Sequence, residues 1–166
     1  IISKIYEIIL INQLKKLLDK SKYEYIENDV QNKYPDFIIV SKVSKDKYYA
    51  VDIKSTYLKT DNKVNGFTLG TYKGYFKNRD KTKSIVLPYE KFNKHFCICV
   101  IYERLKNKLP IKHIFSREKW QIASKSSGSG NTCNIGSIKE INKLLSNENC
   151  FKHEKDFDNF WLEYKC

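Results

Sequence analysis

The stretch YPDFIIVSKVSKDKYYAVDIKSTY, from Tyr34 to Tyr57, decides the fold of this chain. Two β-rich runs, residues 36–42 and 47–57, flank a short polar segment, and this pattern predicts an antiparallel hairpin. If the hairpin turns symmetrically about Ser44, residues whose numbers sum to 88 lie opposite each other, because strand register follows from the position of the turn. Asp36 and Asp52 satisfy this sum, so we expect them to be cross-strand neighbours.

The hairpin predicts a metal site. Alternate residues of a strand share a face, so Asp52 and Lys54 point to one side of the sheet and Ile53 points to the other. Two carboxylates placed about 5 Å apart destabilise a sheet unless a cation lies between them. A hard divalent cation such as Mg²⁺ prefers carboxylate oxygens, backbone carbonyls and water. We therefore expect Asp36, Asp52 and the carbonyl of Ile53 to bind Mg²⁺.

Lys54 completes a set of groups suited to phosphodiester hydrolysis. Its ammonium can orient or help to deprotonate an attacking water, and it can offset the charge that develops on the phosphate. Taken alone, D-x-K on a strand is more often a solvated face, and Pro35-Asp36 is an ordinary turn signal. Their occurrence together, at compatible spacing in a basic chain, favours the catalytic interpretation.

The composition indicates a polyanionic partner. Lys and Arg number 31 against 19 Asp and Glu, which gives a net charge of +12, and nucleic acid or an anionic membrane would fit. The membrane is the weaker alternative, because no stretch has the roughly 18 apolar residues of a span. No helical pattern combines a basic face with Trp or Phe anchors either. We therefore expect a cytoplasmic protein without a membrane partner.

The order of the elements predicts an α/β fold with a mixed, mainly antiparallel sheet flanked by helices. At 166 residues the chain is about one domain, residues 1–166. Five cysteines without C-x-x-C spacing predict buried free thiols rather than disulfides or a zinc site. The chain has no Met and opens in a helical pattern, so we expect an N-terminal piece to be missing. The other predicted strands are 22–27, 66–72, 95–104 and 119–124, and the predicted helices are 2 to about 20, one near 89–96, one starting at Ser137 with Glu140 as its capping-box partner, and 155–164.

A second unusual stretch is SSGSGNTCNIGS, residues 126–137. Its Ser/Gly half alone is typical of a flexible linker. It continues, however, into Asn131, Thr132 and Asn134, and a strand and a helix on either side fix its ends. Glycines let a backbone approach a groove closely, Asn can bond adenine bidentately, and a Thr methyl can contact thymine. We therefore expect this loop to read bases in the major groove of DNA.

Two weaker candidates lie elsewhere in the chain. Gln31 and Asn32, in a polar loop just ahead of Asp36, could contact DNA from the other groove, although a plain polar turn is the commoner explanation. Glu7 lies on the N-terminal amphipathic helix, where a glutamate is by default a solubilising residue.

These residues carry a family resemblance. The segments NKYPDFIIV, KYYAVDIKSTY, FTLGTY, KWQIA and GSGNTCNIGSI resemble, in order, segments of the EcoRV-type restriction endonucleases within the PD-(D/E)XK nuclease superfamily. The PD-(D/E)XK pattern by itself is loose, whereas the Gly-Ser-Gly-Asn-Thr loop is specific to this branch. The resemblance implies a restriction-endonuclease-like core and a type II restriction endonuclease that hydrolyses DNA.

The resemblance also implies roles for individual residues. Asp36 and Asp52 match the metal-binding carboxylates, Lys54 matches the catalytic lysine, and Glu7 matches a helix glutamate near the same metal. The residues that match the DNA-reading loops are Gln31 and Asn32 on the minor-groove side, and Gly128, Ser129, Gly130, Asn131, Thr132 and Asn134 on the major-groove side.

Enzymes of this kind are Mg²⁺-dependent homodimers that cut a palindrome in double-stranded DNA, with one active site for each strand. The resemblance therefore implies a GATATC-like target, blunt ends and a companion methyltransferase that protects the host. Cys133 stands where the family has a threonine, so we expect altered base readout there. The segment 105–118 is shorter than its counterpart, and an N-terminal dimerisation segment and a C-terminal DNA-contacting arm have no match, which predicts a less stable dimer.

Two alternatives of other classes remain open. One is a DNA-binding module that does not cleave, either a decayed nuclease or a basic scaffold whose acidic pair is incidental. The other is a PD-(D/E)XK nuclease that recognises DNA structure, such as a junction resolvase or a repair enzyme. Metal-dependent cutting would exclude the first, and preference for an intact palindrome over branched DNA would exclude the second.

Overall fold

The computed structural model describes residues 2–28, 30, 33–44, 47–80, 85–128 and 133–165, without the side chain of Lys73. The described strands are β1 (Tyr23–Glu27), β2 (Phe37–Ser41), β3 (Tyr48–Thr60), β4 (Lys63–Val64), β5 (Phe92–Tyr102), β6 (Ile111–Glu118), β7 (Ala123–Ser127) and β8 (Ile135–Ser137). The described helices are α1 (Ile2–Leu17), α2 (Lys119–Ile122), α3 (Ile141–Ser146) and α4 (Glu154–Glu163), with a π-helical turn at Lys73–Lys77 and a 3₁₀ turn at Tyr89–Lys91.

The main sheet has the strand order β1-β2-β3-β5-β6, with β4 paired to the far end of β3. β3 and β5 run parallel, while β1, β2, β4 and β6 pair antiparallel with their neighbours. β7 and β8 form a separate two-stranded antiparallel sheet. The predicted class, a mixed and mainly antiparallel sheet flanked by helices, is confirmed.

The β2–β3 hairpin has the predicted register. Phe37 pairs with Val51, and Val40 pairs with Tyr48, so the numbers of each pair sum to 88. At the turn, Ser41 N donates to Lys47 O at 3.0 Å, which continues the same register. This hairpin places the residue just before β2 opposite the middle of β3.

The two faces of the hairpin enter different cores. On one face, Phe37, Val51 and Ile53 pack against Ile11 of α1, which is the buried residue of that helix. The other face belongs to a larger core that extends to Phe157 and Trp161 of α4. Trp161 is fully buried, and truncating such a side chain to Ala typically costs about 3–5 kcal/mol. Because alternate residues of a strand share a face, Asp52 and Lys54 lie on the side of β3 opposite Val51 and Ile53, which is the side that faces the larger core.

The periodic elements occur near their predicted positions. The N-terminal helix ends at Leu17, three residues earlier than expected, and the strand predicted at 22–27 is β1. The strand predicted at 95–104 is β5, which begins earlier, at Phe92. That earlier start leaves only the 3₁₀ turn Tyr89–Lys91 of the helix predicted near 89–96.

The strand predicted at 66–72 is wrong. Gly66 and Gly70 both have φ of +97°, a conformation that interrupts a strand and that glycine adopts without steric cost. The backbone between them bonds to β8 and its surroundings instead. Phe67 N donates to the Ser137 side-chain oxygen at 2.7 Å, and Leu69 N donates to Ile135 O at 3.1 Å.

The helix start predicted at Ser137 is also wrong. Ser137 is the last residue of β8, and its hydroxyl is occupied by the N–H of Phe67, so it cannot cap a helix. α3 begins only at Ile141. The strand predicted at 119–124 is replaced by α2 followed by β7, because Glu118 and Gln121 form a capping box that closes one helical turn. β6 was not predicted at all.

The cysteine prediction is partly wrong. Cys97 and Cys99 are buried free thiols as expected, whereas Cys150 is free but exposed. Cys133 is disulfide-bonded, which a free-thiol interpretation does not allow. No helix of the described residues is long and apolar enough to cross a membrane.

Candidate active site

Asp36 immediately precedes β2 and reaches across to β3. Its Oδ2 accepts a hydrogen bond from Ile53 N at 2.7 Å. The hairpin register makes this contact possible, because the pairing of Phe37 with Val51 places Asp36 beside Asp52. Ile53, the third predicted ligand, thus bonds to Asp36 through its N–H and directly follows Asp52 on β3.

Asp52 and Lys54 form an ion pair on β3. Asp52 is only 2% exposed, whereas Lys54 keeps access to solvent. The Lys54 ammonium lies 2.7 Å from Asp52 Oδ2, and no other group of the described residues donates a hydrogen bond to that oxygen. A buried carboxylate oxygen in this state has capacity left to bind a cation.

The two aspartates have opposite electrostatics. Burial, followed by the negative charge of Asp52, raises the pKa of Asp36 to about 7. Burial alone would also raise the pKa of Asp52, but the positive charges of Lys54 and Lys119 outweigh it, and the pKa of Asp52 is lowered. In the absence of a metal, Asp52 therefore carries the negative charge of the pair first.

Lys54 is held in its charged form. Burial acts to lower its pKa, but the charges of Asp52 and Asp36 outweigh burial and raise the pKa of Lys54 above its usual value. An amine with a raised pKa does not accept a proton near neutral pH, because it is already protonated. Before a metal binds, Lys54 is thus suited to orient a water or to offset negative charge, and it is not suited to act as a base.

Glu7 lies in the same pocket as Asp36. Both line a pocket of about 220 Å³ between α1 and the hairpin, together with Lys4 and Asn28. Lys4 donates a hydrogen bond to Glu7 Oε1. That bond, helped by the charges of Glu7 and Asp36, raises the pKa of Lys4 although burial opposes the shift. The structure therefore brings Glu7 to the edge of the Asp36 site, where its carboxylate is paired with Lys4.

These groups fit a hard divalent cation. Two neighbouring carboxylates, one of them buried and paired with a lysine, supply the oxygen ligands that such cations prefer. The raised pKa of Asp36 reflects burial first and repulsion by Asp52 second, and a cation between the two carboxylates would remove that repulsion. A phosphodiester that approached this site would meet oxygen ligands for a metal and, beside them, an ammonium.

A family model described as Restriction endonuclease EcoRV matches residues 1–166. The Type II restriction enzyme EcoRV of Escherichia coli is 32% identical over 184 residues, a match that covers 99% of this chain and 74% of that protein. The chain belongs to the EcoRV family of restriction endonucleases. It is therefore a type II restriction endonuclease, the class of site-specific deoxyribonucleases.

The NlaIV restriction endonuclease has a similar structure. Its TM-score is 0.61 at 17% sequence identity, and the match covers 96% of this chain and 62% of that chain. At this identity the likeness concerns the fold, and this chain spans less than two thirds of the length of that structure.

In this EcoRV-family endonuclease, the base of the predicted major-groove loop is well defined. Gly128 N donates to Asn134 O at 2.7 Å, and Ser127 pairs with Ile135 in the β7–β8 ladder. Asn134 also forms an isolated antiparallel bridge with Thr71. The β7–β8 ladder thus fixes the ends of the loop, and not the strand and helix that the sequence predicted on either side of 126–137. Gln31, Asn32, Ser129, Gly130, Asn131 and Thr132 lie outside the described residues, so their roles in reading DNA stay predictions.

Sequence reasoning missed a buried polar cluster beneath the carboxylates. Lys119, the first residue of α2, is 1% exposed. Its ammonium lies over the rings of Tyr34, Tyr75 and Tyr89. His95 Nδ1 lies 2.7 Å from the Tyr34 hydroxyl. The sequence predicts that Lys119 begins a strand. The pattern of residues around it does not indicate that its side chain is buried near Asp52.

Proposed function

We propose that this chain is a Mg²⁺-dependent endonuclease that hydrolyses phosphodiester bonds in double-stranded DNA at a GATATC-related palindrome and leaves blunt ends. The observation that supports it most is the juxtaposition of Asp36, Asp52 and Lys54. Asp36 is bonded to the backbone of β3, and the Lys54 ammonium lies 2.7 Å from Asp52 Oδ2. The net charge of +12 suits a polyanionic substrate.

The proposed metal ligands are the carboxylates of Asp36 and Asp52 and the main-chain carbonyl of Ile53. Glu7 is proposed as a further ligand or catalytic carboxylate, because it lines the same pocket as Asp36. When bound, Mg²⁺ supplies charge that polarises a phosphodiester and favours ionisation of a nearby water. The protein would hold these oxygens in a fixed, partly buried arrangement on two paired strands.

The proposed role of Lys54 follows from its charge state. Because its neighbours raise its pKa, it remains an ammonium that can hold the attacking water and offset the additional negative charge on the phosphate in the transition state. Asp52 keeps this ammonium in place through the ion pair. The alternative role as a base conflicts with the raised pKa in the metal-free site.

DNA recognition is proposed to reside in two loops. The segment from Gly128 to Asn134, closed at its base by the bond between these two residues, would read bases in the major groove. Gln31 and Asn32 would contact the minor groove. A homodimer would place one active site on each strand of a palindrome. A companion methyltransferase in the same cytoplasm would protect host DNA.

The test is to incubate the purified chain with a plasmid that contains a single GATATC site, with Mg²⁺ and separately with EDTA, and to map the ends by sequencing. The proposal expects one blunt cut at that site with Mg²⁺ and none with EDTA. Cutting of branched DNA in preference to the plasmid would instead indicate a structure-specific nuclease. Binding without any cutting would indicate a DNA-binding module.

A further inference from the structure

Lys119 is a buried cation without a hydrogen bond. It is 1% exposed, and its ammonium has no hydrogen-bond partner among the described residues. A buried lysine is costly for a fold, because the ammonium loses its hydration. Something in its surroundings must therefore stabilise the charge.

Part of that stabilisation comes from three tyrosine rings. The Lys119 ammonium lies 3.7 Å from the centre of the Tyr34 ring, 4.5 Å from that of Tyr75 and 5.8 Å from that of Tyr89. The negative faces of aromatic rings attract a desolvated cation. We call these three residues and His95, which contacts Tyr34 and stacks on Tyr89 at 3.8 Å, the aromatic floor.

The aromatic floor itself carries no opposing charge. Burial raises the pKa of Tyr34, Tyr75 and Tyr89 well above the usual range, and burial lowers the pKa of His95 well below it, so all four groups are neutral. Burial also raises the pKa of the neighbouring Cys97 thiol to about 12, so that group is neutral too. Among the groups that are negatively charged near neutral pH, Asp52 and then Asp36 therefore act most strongly on Lys119.

The field of Lys119 reaches the aspartates through this neutral, low-dielectric layer. Burial lowers the pKa of Lys119 to about 8, and Asp52 is the strongest influence in the opposite direction. Reciprocally, Lys119 is second only to Lys54 among the charges that keep Asp52 ionised. β5 lies between the two sites, since Cys97 pairs with Asp52 on one side and with Arg117, two residues before Lys119, on the other. Near neutral pH, Lys119 is charged and acts on Asp52 from within the protein.

We propose that Lys119 is a positioning residue of the active site, a buried ammonium on an aromatic floor that balances the charge of the Asp36–Asp52 pair without touching DNA or metal. The inference rests on the proposed function, since it assigns a role relative to the proposed metal ligands. With Lys54 and Lys119 charged, two cations oppose two carboxylates, so the added charge of a bound divalent ion remains available to the phosphate. Lys119 thereby weakens metal binding and strengthens stabilisation of the transition state.

This role predicts that Lys119→Met strengthens Mg²⁺ binding but slows DNA cleavage. Methionine keeps the length and the apolar body of the side chain but removes the charge. At about pH 7 the variant should bind Mg²⁺ roughly three- to tenfold more tightly, because the carboxylates lose a competing cation. At saturating Mg²⁺ its single-turnover cleavage should be slower by about tenfold or more, because the site has lost positive charge. Lys119→Arg, which keeps the charge, should resemble the wild type in Mg²⁺ affinity.

The binding experiment is isothermal titration calorimetry with Mg²⁺ alone, on the wild type, Lys119→Met, Lys119→Arg and Lys143→Met. Lys143→Met is the matched control, since Lys143 is an exposed lysine on α3. A purely structural role for Lys119 would weaken metal binding and cleavage together. Unchanged or weaker Mg²⁺ binding by folded Lys119→Met would overturn the proposal.

A double-mutant cycle keeps the proposal testable if Lys119→Met folds poorly. Urea unfolding is measured for the wild type, Lys119→Met, Asp52→Asn and the double variant, in EDTA. If the charges of Lys119 and Asp52 balance each other, Lys119→Met should lower the free energy of unfolding more in the wild type than in Asp52→Asn. Equal effects in the two backgrounds would overturn the proposal. Neither measurement requires DNA cleavage. Failure of the proposed function would therefore appear separately, as a wild type that shows this coupling but does not cut DNA.

Discussion

The raised pKa of Asp36 predicts how the stability of the metal-free protein depends on pH. The pKa rises from 3.8 to about 7 because the carboxyl is buried beside the charge of Asp52. The folded state therefore favours the protonated form of Asp36. This contribution to stability is fully present below the unfolded-state pKa and is lost as the pH rises through the folded-state pKa.

The magnitude follows from the size of the shift. Each pKa unit corresponds to about 1.4 kcal/mol, so the change between 3.8 and about 7 is worth about 4 kcal/mol in total. Between about pH 5 and about pH 8, most of that range is crossed, and the loss is about 2–3 kcal/mol. Burial lowers the pKa of His95, so the contribution of His95 to stability increases as the pH rises over part of the same range. The prediction therefore concerns the difference in unfolding free energy between the wild type and a variant of Asp36.

Asp36→Asn isolates this contribution. Asparagine keeps an oxygen that can accept the hydrogen bond from Ile53 N but does not ionise. Urea unfolding in EDTA should show the wild type losing about 2–3 kcal/mol relative to the variant between about pH 5 and about pH 8. Asp61→Asn, which changes an exposed aspartate, is the matched control. The reasoning is refuted if the pH-dependent difference for Asp36→Asn is no larger than that for Asp61→Asn.

Three further predictions concern cleavage, recognition and the loop. Lys54→Met should lose cleavage while DNA binding measured by gel shift is largely kept, and normal cutting would contradict the role of its ammonium. Asn131→Ala should weaken binding to the cognate site but not the salt-dependent binding to unrelated DNA, so equal loss of both would argue against base reading. Gly136→Ala should lower the free energy of unfolding by about 2 kcal/mol, because a Cβ would lie 2.4 Å from Ser126 O. Gly128→Ala, whose nearest contacts would be at 3.7 Å, is the control in that unfolding measurement, and equal destabilisation would contradict the steric argument.

The sequence predicted the hairpin and its acidic pair because strand periodicity and turn position are local properties. A two-residue repeat fixes which side chains share a face, and the turn about Ser44 fixes the register, so the positions of Asp36 and Asp52 followed directly. Glu7 was harder. Its pocket depends on how α1 packs on the sheet, which helical periodicity does not report.

The errors of sequence reasoning occur where tertiary contacts override local pattern. The segment 66–72 has a β-rich composition, yet Gly66 and Gly70 turn its backbone towards β8. Ser137 has the spacing of a capping box, but a distant backbone N–H takes its hydroxyl. Lys119 looks like an ordinary basic surface residue, and only the packing of the aromatic floor shows that it is buried.

The most direct test of the account compares DNA cleavage and DNA binding by the wild type and Asp52→Ala. Cleavage of a duplex that contains GATATC is followed under single-turnover conditions with Mg²⁺, and binding to the same duplex is measured with Ca²⁺ in place of Mg²⁺. We expect cleavage to fall by at least about a hundredfold while binding of the duplex is largely retained, because contacts to the DNA phosphates supply much of the affinity. Cleavage by Asp52→Ala at the wild-type rate would contradict the assignment of the active site.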